Sequence, residues 1–224
     1  MQPFTFFIFK NEPPLSPFAP RYEYVLGETF LENIDFEKIS KFILKKEKEI
    51  IKKYPVSNKS EKTIDAFTGL GDNSLTSRYE NFNLLAFNNP EIKKVKKQIK
   101  EVHKQFLNNL KVNIDKQIYI QCWANVMRKG EQIKPHIHSV GPYTYLGGHI
   151  CVKSKNTNTH YINPQNQIND PKIISSKNET GKITLFQNCL PHYTDKYEGE
   201  GERITIAFDL SIEDKSDTPS FIPL

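Results

Sequence analysis

Apolar residues recur along this chain with two different spacings, and the change-over lies near Gln117. Before it, Phe36, Ile39, Phe42, Ile43, Ile50 and Ile51 return with helical period while lysines fill the opposite face. Asp35 precedes this run as an N-cap and Pro55 ends it. Ile92, Val95, Ile99, Val102, Phe106 and Leu110 form a second apolar stripe, opened by Asn89-Pro90 with proline in the first turn. Ahead of both helices, Phe4 to Phe9 predicts a short strand packed on the body, and Arg21 to Phe30 predicts another. Pro13, Pro14, Pro17 and Pro20 mark an extended connection between them. Val56 to Ser77 is polar, carries Gly69, Gly71, Asp72 and Asn73, and reads as a loop.

After Gln117 the runs become short and rich in β-branched and aromatic residues, with turn signals between them and no helical pattern. The predicted strands are Ile118 to Met127, Pro135 to His138, Gly148 to Lys153, Thr159 to Ile162, Ile183 to Phe186 and Arg203 to Ile212. Turns fall at Arg128 to Gly130, Gly141-Pro142 and Glu198 to Gly201. This succession predicts a mainly β protein, a barrel or sandwich with N-terminal α-helices buttressing one sheet. The expected organisation is a single domain, with residues 1–116 as helical support and first strands and residues 117–213 as the β core. Asp214 to Pro219 is polar and is expected to fray.

Composition narrows the class without naming a function. The chain has 224 residues, 37% hydrophobic and 25% charged, as a soluble globular protein does. Its net charge of +5 comes mostly from lysines on the two helices, so a solvated helix face explains it better than a nucleic-acid or membrane patch. Cys122, Cys151 and Cys189 are odd in number and lack CxxC spacing, which argues for a reducing compartment and against a disulfide scaffold. No stretch is long enough to span a bilayer. The opening apolar run lacks a basic flank and a small-residue cleavage site, so a cytoplasmic protein is expected. Oligomeric state is not legible.

Chemistry concentrates in the second half. In Lys134-Pro135-His136-Ile137-His138, two histidines at i and i+2 share one face of a strand. His192 arrives from a separate segment. Three imidazoles from two segments suit a mid-row transition metal, with about three octahedral positions left open. The plainer reading of H-x-H is a pair of exposed strand residues, or one core and one surface residue. His149 is expected to line the pocket without being a ligand, and His103 and His160 to lie on the surface. Arg203, Thr205 and Ala207 alternate with the core residues Ile204, Ile206 and Phe208. A guanidinium facing a cavity needs an anion, and its planar fork matches a carboxylate. Thr205 adds a hydroxyl. The competing reading is a surface arginine paired with Glu200 or Glu202. Trp123, Asn125 and Met127 share one strand face, placing Asn125 to bond a co-substrate and Trp123 either in the pocket or in the core. A metal beside an anion clamp points to an iron oxygenase with a dicarboxylate co-substrate.

These residues resemble the Fe(II)- and 2-oxoglutarate-dependent oxygenases of the double-stranded β-helix (jelly-roll) fold, and most of all a bacterial and phage group with a prolyl-hydroxylase-like core. The resemblance rests on Trp123-Ala124-Asn125, Gly130, His136-Ile137-His138, Leu146-Gly147-Gly148, the run from Phe186 to His192, and Glu202-Arg203-Ile204-Thr205. It implies that His136, His138 and His192 bind Fe(II) and that Arg203 with Thr205 holds the distal carboxylate of 2-oxoglutarate. It also implies oxygen and an unidentified substrate as partners, hydroxylation as the reaction, and succinate and CO2 as co-products. His138 departs from the family, most of which carries a carboxylate there, and makes the site more positive by about one charge. The tyrosine-rich strand common in the group is here Gly148 to Val152, with Tyr143 and Tyr145 expected to take over lining. Two alternatives remain: a three-histidine cupin-like metalloenzyme that does not use 2-oxoglutarate, and a non-catalytic metal-containing binding module. Val56 to Ser77 and Asn163 to Asn178 are the expected lids, where substrate choice would lie.

Overall fold

A computed structural model describes residues 2–55, 65, 67–138, 141–165 and 172–224. Helix α1 (Phe36–Lys53) begins where Asp35 accepts a hydrogen bond from the Lys38 amide, with Glu37 in its first turn and Lys52 and Lys53 in its last. Each charge opposes the partial charge of its helix end. Helix α2 (Pro90–Asn109) is capped by Asn89, whose side chain accepts from the Glu91 and Ile92 amides. Both helices lay an apolar stripe on one side of a large sheet: Ile39, Ile43 and Ile50 from α1, and Ile92, Val95, Ile99, Val102 and Phe106 from α2. Among the described residues no helix is long and apolar enough to cross a membrane.

Among the described residues ten strands form two antiparallel sheets, in a mostly β, jelly-roll architecture with few helices. They are β1 (Thr5–Lys10), β2 (Glu23–Phe30), β3 (Tyr119–Met127), β4 (Leu146–Lys153), β5 (Asn158–Ile162), β6 (Ile173–Lys177), β7 (Lys182–Gln187), β8 (His192–Thr194), β9 (Arg203–Ser211) and β10 (Phe221–Pro223). Seven join in the order β1-β2-β7-β4-β9-β3-β10, and the other three in the order β6-β5-β8. Alternation then assigns the two faces of the large sheet. Ile204, Ile206, Phe208 and Leu210 of β9 turn toward the helices with Ile120, Cys122, Ala124 and Val126 of β3. The opposite rows pair Met127 with Arg203, Asn125 with Thr205 and Trp123 with Ala207, and β4 sets His149 beside Ala207. Across the gap, Tyr161 of β5 packs on Leu26 and Phe186.

Four local expectations need correction. Pro135 to His138 is not a strand; His136 makes a single bridge to His192. One bridge suffices to fix it, and the proline before it carries no amide hydrogen to extend a ladder. Within Asn163 to Asn178, Ile173–Lys177 forms β6 against β5. Beyond Asp214 to Pro219 the chain returns instead of fraying: Phe221–Pro223 pairs with β3, and buried Ser220 accepts a hydrogen bond from Asn83 through its carbonyl oxygen. The second strand starts at Glu23, after the Tyr22 amide donates a hydrogen bond to Asn11 Oδ1. Of the expected lids, residues 56–64, 66 and 166–171 lie outside the described residues, whereas Ser74, Thr76, Ser77 and Arg78 are packed inside.

Candidate metal and co-substrate site

The bridge between His136 and His192 is two backbone hydrogen bonds, 3.1 and 3.0 Å, which lock the two segments side by side. The His138 amide is held by the Asn188 carbonyl at 3.1 Å. One nitrogen from each of the three rings then lies within 4.8 Å of the others. Ring centroids are 4.4 Å apart for His136 and His192, 5.0 Å for His138 and His192, and 5.5 Å for His136 and His138. The separation along the sequence is therefore closed by backbone pairing, not by side-chain reach.

Hydrogen bonding selects which nitrogen each ring offers. His136 Nδ1 lies 2.9 Å from the Lys134 carbonyl oxygen, and His192 Nδ1 lies 3.0 Å from that of Leu190. His138 Nδ1 lies 2.5 Å from the Asp209 carboxylate. Carbonyl and carboxylate oxygens only accept, so each Nδ1 carries a hydrogen and Nε2 is the nitrogen each ring leaves for a metal. Burial pushes the His136 ring down to about 4, helped by the neighbouring His138. Burial, with His136 and His138 beside it, holds His192 well below the usual histidine range. Rings that stay neutral near pH 7 are ready to ligate without first losing a proton.

The cavity that holds the three rings is also lined by Arg203, Thr205 and Asn125. Arg203 is 1% exposed. Its Nε donates to Thr157 Oγ1 at 3.2 Å, and Nη1 to the Met127 sulfur at 3.3 Å. Glu202, the expected surface partner, pairs instead with Lys153 at 3.2 Å, so the surface reading of Arg203 fails. Among the described residues no carboxylate lies within ion-pair distance of this guanidinium. A buried cation so placed costs several kcal/mol unless an anion joins it, at roughly the scale of one broken buried pair. Asn125 Oδ1 accepts from Trp123 Nε1 at 3.1 Å and from Thr76 Oγ1 at 2.6 Å. Indole N–H can only donate, which fixes the amide orientation and leaves Nδ2 as the donor for the cavity. Trp123 thus serves the pocket and the core at once.

The remaining histidines separate cleanly. His149 lines the cavity as expected; its Nε2 meets the Tyr161 hydroxyl at 2.6 Å, and its buried Nδ1 has no protein partner. Burial, followed by the Arg203 charge, pushes His149 down to about 3. His103 is not a surface residue: it is 6% exposed and bonds the Tyr145 hydroxyl at 2.7 Å. It stands four residues after Ile99 on the apolar stripe of α2, a signal already present in the sequence. Nor is His160 a free surface group, since Ser175 and Asp195 take its two nitrogens at 2.8 and 2.7 Å. Asp209 was missed altogether, although it shares the parity of Arg203, Thr205 and Ala207 on β9.

Residues 121–209 match the model of a family described as "Putative 2OG-Fe(II) oxygenase". Over these residues the chain is similar to the 2OG-Fe(II) oxygenase superfamily. The matched segment runs from β3 to β9 and contains all the cavity residues named above except Thr76. A non-heme alpha-ketoglutarate-dependent carbocyclase, SnoK from nogalamycin biosynthesis, has the same fold: TM-score 0.52 at 9% identity, over 85% of this chain and 80% of that one. A 2OG-Fe(II) oxygenase family oxidoreductase from Burkholderia pseudomallei aligns at TM-score 0.44 and 15% identity, over 57% of this chain and 61% of that one. A Trichoplax adhaerens prolyl hydroxylase, solved with a hypoxia inducible factor peptide, aligns at 0.47 and 11%, over 84% of each chain. This chain therefore spans less than two thirds of the Burkholderia protein. No curated protein sequence matches it. The family implies Fe(II) and 2-oxoglutarate. The cavity fits both: three imidazole nitrogens suit a mid-row divalent ion, and a buried guanidinium without a carboxylate suits a dicarboxylate.

Proposed function

We propose that this chain is an Fe(II)- and 2-oxoglutarate-dependent dioxygenase that hydroxylates its substrate. The observation that carries the reading is a buried arginine with no carboxylate partner among the described residues, in a cavity that also holds three converging imidazoles. A cupin-like metalloenzyme indifferent to 2-oxoglutarate would leave that guanidinium buried for no return. Residues 1–116 and 117–213 act together on this reading, because β1 and β2 extend the same sheet that carries β3, β4, β7 and β9.

His136, His138 and His192 would hold the iron through Nε2. Bound iron would let oxygen act as the oxidant, with 2-oxoglutarate giving up two electrons as it becomes succinate and CO2 and the substrate giving up the other two. The chain's own part is positional. Arg203 offers its fork to the distal carboxylate, Thr205 adds a hydroxyl, and Asn125 Nδ2 donates from the adjacent strand. Thr157 and Met127 fix the guanidinium before the co-substrate arrives, so little side-chain freedom is lost on binding. Phe186 and Trp123 stand beside the His138 ring and keep water from it, at centroid distances of 5.4 and 6.1 Å.

Calorimetry of 2-oxoglutarate with the Mn(II)-loaded protein tests this. Wild type is expected to bind, and Arg203→Ala to lose about 100-fold or more, in line with truncating one partner of a buried charge pair. No binding by metal-loaded wild type would end the oxygenase reading.

A further inference from the structure

His138 stands where a carboxylate ligand is expected, and Asp209 is bonded to its far nitrogen. We propose that Asp209 is a positioning residue that returns the displaced negative charge to the metal site through the His138 ring. This rests on the functional reading above. Three neutral imidazoles leave a divalent ion's full charge uncompensated, whereas two imidazoles and a carboxylate cancel one unit of it. Asp209 cancels that unit from one ring further out.

Three features build the arrangement. Asp209 lies on the cavity-facing row of β9, and its cross-strand neighbours are Gln121 on β3 and Gly147 on β4. Gly147 provides the room: a Cβ there would lie 3.0 Å from His138 Nδ1 and 2.8 Å from Asn188 Oδ1. The His138 ring fills that space to reach the carboxylate, against Phe186 and Trp123. His136 and His192 give their Nδ1 hydrogens to backbone carbonyls, so only His138 of the three has an anionic partner. A carboxylate accepting that hydrogen fixes the tautomer, orients the ring and raises the basicity of Nε2. The side chain of His138 is 7% exposed and that of Asp209 21%, so solvent screens the pair only in part.

The test is Co(II) binding to metal-free wild type, Asp209→Asn and Asp209→Ala, read by titration and by the visible spectrum of the bound ion. Asparagine keeps an acceptor of the same shape and removes the charge; alanine removes both. Affinity is expected to fall about 10-fold in Asp209→Asn and toward 100-fold in Asp209→Ala, the range known for outer ligand partners. The d–d bands should shift in both variants. In metal-free protein, nitrogen NMR of His138 should show Nδ1–H alone in wild type and a tautomer mixture in Asp209→Ala, with His136 unchanged. Affinities within twofold of wild type and an unshifted spectrum would overturn the proposal while leaving the functional reading intact. Absence of Co(II) binding by wild type would overturn both.

Discussion

Among the described residues two histidines pair with a carboxylate, and only one of them belongs to a candidate metal site. His160 on β5 is bonded to Asp195 through Nε2 and to Ser175 through Nδ1, and its ring stacks on Tyr193 at 4.7 Å. His138 gives Nδ1 to Asp209 and keeps Nε2 for the cavity. Both imidazoles are anchored by an aspartate, yet the first is saturated and the second is half free. Availability for a metal therefore depends on what the second nitrogen does, not on the presence of histidine, carboxylate or burial. His149 adds a second condition: its Nδ1 has no partner among the described residues, yet it is not one of the three rings whose nitrogens converge.

Substitution sharpens this contrast most strongly at the trio. His136→Ala or His192→Ala is expected to weaken Co(II) binding by more than about 100-fold, which is about 2.7 kcal/mol or more. His160→Ala should leave binding within twofold. Equal losses at His136 and His160 in titrations would erase the distinction. Gly147→Ala comes next. Its methyl would meet His138 and Asn188, and the overpacking should cost about 1–3 kcal/mol in urea unfolding together with a loss of Co(II) affinity. Unchanged affinity would show that His138 does not need the space.

Proton linkage gives a comparable effect at a histidine outside both groups. Burial holds His103 down to about 4 in the folded protein, against 6.5 for the unfolded chain. The unfolded state then binds more protons between these values, so metal-free protein is fully stabilised above about pH 6.5 and loses stability as pH falls toward 4. The loss at this one ring is roughly 3 kcal/mol at most. Urea midpoints at pH 7.5 and 5 should show a flatter dependence in His103→Gln than in wild type; identical slopes would place the ring in water. The smallest effect is expected at Asp195→Asn, under about 1 kcal/mol by the same unfolding assay, because that pair is partly exposed.

The two helices were legible because apolar spacing and capping residues agree, as at Asp35 and Asn89. The long strands were legible because alternation on β3 and β9 survives burial on both faces. His136, His138, His192 and Arg203 were legible as chemistry, and the cavity gathers all four. Short elements were not. β8 and β10 have three residues each, too few for a period, and His136 is placed by one backbone bridge. The anchoring of Arg203 by Thr157 and Met127 depends on a contact across 46 and 76 residues that no local pattern encodes. Asp209 was encoded by parity, and the alternating reading stopped one step short of it.

Crystals of Co(II)-loaded protein soaked with 2-oxoglutarate, with anomalous data at the cobalt edge, test the central claim most directly. One peak is expected about 2.1 Å from Nε2 of His136, His138 and His192, with co-substrate density running from it to the Arg203 guanidinium. A peak elsewhere, or a dicarboxylate that never reaches Arg203, would contradict the account.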